Sequence, residues 1–105
     1  MIDINGILWK IKFVHPLDSF LIREDGVVTL GMCDRETQTI YLSENLKGSM
    51  LKKVLCHEIV HAAMFSYNIY ISFEQEEIIA DIIATYGEEI ITITNKVFKK
   101  LQSQL

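Results

Sequence analysis

The chain has 105 residues, half of them hydrophobic, and a formal net charge of −4. This length predicts one domain, residues 1–105, with a small core. The acidic balance argues against nonspecific nucleic-acid binding. With neither a signal peptide nor an apolar run long enough to span a bilayer, the expectation is a cytoplasmic protein with no membrane partner.

Residues 2–14 open the chain. Trp9, Ile11 and Phe13 alternate with Lys10 and Lys12, which predicts a half-buried strand. Asn5-Gly6 predicts a small hairpin before it, and His15-Pro16 ends it because proline cannot donate to a ladder. Residues 17–23 are ambiguous, and Glu24-Asp25-Gly26 reads as a turn. Residues 27–33 read as a strand in which Gly31 marks a bulge or a close backbone approach. Residues 34–37 form a hairpin loop, and 38–42 return as a strand pairing with the one before. Residues 46–67 read as a largely buried helix, with Leu51, Val54, Leu55, Ile59, Ala62, Ala63 and Phe65 at threes and fours and Asn68 as terminator.

Ser72 and Gln75 have capping-box spacing and open a second helix, residues 73–102. Ile79, Ile83, Tyr86, Ile90, Ile93, Val97 and Leu101 form one apolar stripe along it. Gly87 either splits or bends it. Lys96, Lys99 and Lys100 read as a solvated face that complements the helix dipole. Strands precede helices, so the class is α+β. Cys33 and Cys56 form neither a metal spacing nor a disulfide framework.

The chemistry-bearing feature is His57-Glu58-Ile59-Val60-His61, an H-E-x-x-H pattern on the first helix. Histidines four apart share a helix face and can close on one metal ion, and Glu58 can reach a water beside it. With 3 histidines in the chain, chance placement gives such a pattern on the order of 1 % of the time. The competing reading, two core histidines flanking a glutamate, would bury Glu58 without a role. A catalytic zinc needs a third protein ligand and an open position. His15 is one candidate and a downstream carboxylate the other. Glu77 and Asp81 lie one turn apart on the second helix. Glu74 shares their face but sits where an acidic residue also complements the dipole, and Glu76 reads as solvated.

H-E-x-x-H followed on a second helix by Glu77-Ile-Ile-Ala-Asp81 resembles the gluzincin metallopeptidases. More narrowly, the chain is similar to the small ImmA/IrrE-type metallopeptidases of bacteria, mobile elements and phages. Gln38-Thr39-Ile40-Tyr41-Leu42 matches their strand before the zinc helix, and Glu77, Ala80 and Asp81 match their second helix. The resemblance implies a minimal zincin-like fold and Zn²⁺ held by His57, His61 and Glu77. It implies Glu58 as general base and Asp81 as acceptor from a ligand imidazole, His57. It also implies hydrolysis of a peptide bond in a protein substrate, with a transcriptional repressor as the favoured target. The group stabilising the oxyanion is open among Tyr67, Tyr70, Tyr86 and His15.

An extended substrate would add to an edge strand, either 27–33 or 38–42. Two rival readings remain. One is a catalytically silent zinc-binding regulatory module. The other is an interaction protein that forms a homodimer through its C-terminal stripe.

Overall fold

The computed structural model describes residues 1–104. Four strands precede two helices: β1 (Ile2–Ile4), β2 (Ile7–Val14), β3 (Gly31–Asp34), β4 (Thr39–Ser43), α1 (Gly48–Ser66) and α2 (Phe73–Ser103). The class is α+β, with a small mixed sheet in the order β1-β2-β4-β3. β1 and β2 form the hairpin expected at Asn5-Gly6, with both turn residues at positive φ. β3 and β4 pair antiparallel, as the hairpin loop at 34–37 predicts.

The sheet's one parallel pairing, β2 with β4, brings Ile11 opposite Ile40 and Phe13 opposite Leu42. No short-range signal announces it, because the two strands are separated by the whole segment 15–38. β4 therefore lies inside the sheet, and all five of its residues are buried. Trp9, Ile40, Leu42, Leu46 and Ala62 form the core. Trp9 is fully buried, donates from Nε1 to Ser66 Oγ at 2.8 Å and meets Phe65 edge to face. That hydrogen bond satisfies the indole that would otherwise be costly to bury.

Two expectations change. The predicted strand 27–33 is shortened to Gly31–Asp34. Residues 27–29 instead fold back on 21–23: Arg23 N–H donates to Val27 O, and Thr29 N–H to Leu21 O. The small hairpin so formed turns at Gly26. The half-buried pattern on β2 holds only at Trp9, since Ile11 and Phe13 are 40% and 51% exposed. The reason is that α1 packs over β3, β4 and β1, which leaves the far end of β2 uncovered.

α1 ends in a Schellman arrangement. Ile69 N–H reaches Met64 O, Asn68 N–H reaches Phe65 O, and Asn68 takes positive φ. α2 opens with the capping box of Ser72 and Gln75 and runs through Gly87 unbroken for 31 residues. The two helices pack antiparallel, so the first turns of α2 face the middle of α1. Lys52 Nζ meets Glu88 Oε2 at 2.7 Å near the start of α1. Beyond that point α2 runs on past the body, and every residue from 88 to 104 is exposed. No helix among the described residues is long and apolar enough to cross a membrane.

Candidate metal centre

The helical period puts His57 and His61 on the side of α1 that faces α2, with their rings 4.9 Å apart. The capping box fixes where α2 begins, which sets the phase of Glu76, Glu77 and Asp81 against them. His57 Nε2 lies 3.2 Å from His61 Nε2 and 3.3 Å from Glu77 Oε1, and His61 Nε2 lies 2.5 Å from Glu77 Oε1. These three atoms form a cluster that could hold a metal ion. Of the alternative third ligands, Glu74 is exposed at the helix start. His15 stands at the far end of β2, its Nδ1 accepting from Leu17 N–H.

The other ring nitrogens are also engaged. His57 Nδ1 lies 3.0 Å from Asp81 Oδ1, the partner the resemblance implied. His61 Nδ1 lies 2.6 Å from Glu76 Oε1. With each Nδ1–H donating to a carboxylate, both rings turn Nε2 lone pairs toward one point.

Glu76 corrects the sequence reading. Taken as solvated, it is only 4% exposed and lies between His61 and Arg35, whose Nη2 donates to the same oxygen at 2.5 Å. Arg35 also lies over the Phe65 ring, 5.7 Å from its centre. Burial works to raise the Glu76 carboxyl, but the hydrogen bonds from His61 and Arg35 outweigh it and hold the group below the usual carboxylate range. The sequence signal was slight. Arg35 belongs to the β3–β4 loop, 41 residues from Glu76, and nothing local ties them.

Glu58 points into the same cleft and is 7% exposed. Burial pushes its carboxyl up to about 7, against the pull of His57. Gly31 makes room for it. A Cβ there would stand 2.8 Å from Val54 Cγ1, 3.0 Å from Glu58 Cγ and 3.2 Å from Glu58 Oε2. This is the close backbone approach that glycine in a strand signals. Cys33, two residues on, is pushed up to about 12 by burial and by Glu58 beside it.

The cleft has a volume of about 570 Å³, and Met32, Met50, Val54, Ile71 and Phe73 give it apolar walls around the polar centre. β3 lines one side through Gly31, Met32 and Cys33. Tyr67, Tyr70, Tyr86 and His15 all lie outside its lining, whereas Arg35 lies within it. Comparison with family models, curated proteins and solved structures finds no match to this chain. The resemblance to gluzincins therefore rests on the motif residues alone.

Proposed function

We propose that the protein is a zinc-dependent metallopeptidase of narrow specificity. The observation that carries this reading is the convergence of His57 Nε2, His61 Nε2 and Glu77 Oε1 beside a buried, otherwise unexplained Glu58. Two imidazoles and one carboxylate with room for a fourth group are the donor set of a hydrolytic zinc. Zinc–ligand bonds near 2.0–2.1 Å at tetrahedral angles put ligand atoms about 3.3 Å apart, and the two separations from His57 Nε2 agree. The third, 2.5 Å, is closer than that and must widen for an ion to sit between the two atoms. Glu77, with a side chain 37% exposed, has the freedom to open it.

A bound zinc ion would supply Lewis acidity, lowering the pKa of a water to ~7 and polarising a carbonyl. Glu58 would take the proton from that water and return it to the leaving amine. Asp81 would keep His57 in the tautomer that presents Nε2. Since β4 is interior, the strand open to an extended substrate at the cleft is β3, the sheet edge.

The test is to incubate zinc-loaded protein with a peptide library and sequence the new termini by mass spectrometry, with Glu58→Gln as the paired control. Cleavage by the wild type, abolished in Glu58→Gln and by a chelator, is the expected result. New termini that are equally abundant with both proteins, or none at all, would leave the catalytically silent zinc-binding module.

For a partner, the projecting half of α2 favours a second copy of this chain. Ile83, Tyr86, Ile90, Ile93 and Val97 alternate at steps of three and four, each 41–54% exposed. A lone helix of some fifteen residues, ~22 Å long, is marginal in water without a partner. Paired antiparallel about a twofold axis near Ile91–Thr92, the stripe would meet itself, with Glu89 of one copy flanking Lys96 of the other.

A further inference from the structure

Consecutive residues of α2 bracket one imidazole. Glu77 Oε1 is 2.5 Å from His61 Nε2, and Glu76 Oε1 is 2.6 Å from His61 Nδ1. Side chains one residue apart on a helix diverge by about 100°, so the two carboxylates reach opposite edges of the ring. Nδ1 is the nitrogen facing away from His57 Nε2 and Glu77, so Glu76 stands outside the metal cluster.

We infer that Glu76 and Arg35 are a positioning pair for His61, and that this pair governs metal affinity more strongly than Asp81 does. The inference rests on the metal-site reading above. A neutral imidazole has one N–H, and a hydrogen bond from Nδ1–H leaves Nε2 as the donor to the metal. Glu76 fixes that tautomer and the plane of the ring. A carboxylate this deeply buried needs a compensating charge, and Arg35 supplies it from the β3–β4 loop while stacking on Phe65.

The two positioning carboxylates differ in surroundings. The Glu76 side chain is 5% exposed and its bond to the ring is 2.6 Å, whereas Asp81 is 70% exposed and its bond is 3.0 Å. A charge-assisted hydrogen bond in a dry setting is the stronger of two such bonds. His61 is thus the more tightly held ligand, and the hold reaches across to the loop that ends the edge strand.

The experiment is Zn²⁺ affinity by competition with a chromophoric chelator, for the full chain and for Glu76→Gln, Glu76→Ala, Arg35→Gln and Asp81→Asn. The visible spectrum of each protein loaded with Co²⁺ and the ring ¹⁵N shifts of His61 accompany it. Replacing an outer partner of a ligand histidine costs 10–100-fold in affinity. The expected losses follow the order Glu76→Ala, then Glu76→Gln, then Asp81→Asn, all with one ion bound per chain. The Co²⁺ spectrum and the His61 tautomer should change in the Glu76 variants, which a purely structural role would not require. If the Glu76 variants fail to fold, Arg35→Gln decides, with about a tenfold loss expected at this part-exposed position. Wild-type binding with unchanged affinity in the folded variants would overturn the inference while leaving the metal site intact. A wild type that takes up no zinc would instead overturn the reading beneath it.

Discussion

Gly31 and Glu58 touch across the interface between β3 and α1: a Cβ on the glycine would stand 3.0 Å from Cγ of the glutamate and 2.8 Å from Val54 Cγ1. The edge strand and the acid of the H-E-x-x-H pattern are held that close because position 31 has no side chain. Gly31→Ala should cost about 1–3 kcal/mol, the range for overpacking a tight contact. Denaturant unfolding measures it. A variant as stable as the wild type would show that α1 shifts freely against the sheet.

Glu58 lowers the stability of the fold that holds it. An ordinary carboxyl titrates near 4.5, and burial raises this one to about 7. Below about pH 4.5 it is protonated in both the folded and unfolded chain and costs nothing. As pH rises toward 7 the unfolded chain releases its proton while the folded chain keeps it, so stability falls, and above 7 the loss is complete. The shift corresponds to about 3 kcal/mol. Glu58→Gln, compared with the wild type in the presence of a chelator, should therefore be more stable at pH 8 and equal to it at pH 4. Thermal unfolding at the two pH values checks this, and a variant less stable at pH 8 would contradict it.

Cys33 carries a thiol pushed up to about 12, chiefly by burial and then by Glu58. The thiolate is the reactive form. Alkylation of Cys33 by iodoacetamide at pH 8 should be at least a hundredfold slower in the folded protein than in urea, as followed by peptide mass spectrometry. Comparable rates would mean that the cleft wall opens readily to solvent.

The projecting half of α2 should bring two chains together. Ile90→Glu combined with Ile93→Glu replaces apolar side chains that are each 52% exposed with like charges that would face each other across the pairing, and does not disturb the core. Light scattering should give a dimer for the wild type and a monomer for the double variant, with the zinc affinity of the two the same. A monomeric wild type at high micromolar concentration would refute the pairing.

What the sequence made legible follows the range of each signal. Ser72 with Gln75, Asn68 at the end of α1 and Asn5-Gly6 are local devices, and each occupies its expected place. The spacing of His57, His61, Glu77 and Asp81 was readable because each pair lies on a single helix, and only the phase between helices had to be supplied by folding. Long-range pairing had no such signature. The parallel match of β2 to β4 and the bond from Arg35 to Glu76 join segments with nothing local in common. Glu76 read as solvated because helical phase alone turns it away from Glu77 and Asp81; the guanidinium that accompanies it into the interior comes from another element. Residues 27–29 read as strand from their composition, yet Val27 O and Thr29 N–H are taken by Arg23 and Leu21 across the turn at Gly26.

The chemistry proposed for this cleft depends on His57, His61 and Glu77 binding one metal ion. Native mass spectrometry with elemental analysis, on purified wild type beside His57→Ala and Glu77→Gln, tests it most directly. One zinc per wild-type chain, lost or greatly weakened in both variants, is the predicted result. A wild type that carries no metal and takes up none when zinc is added would contradict it.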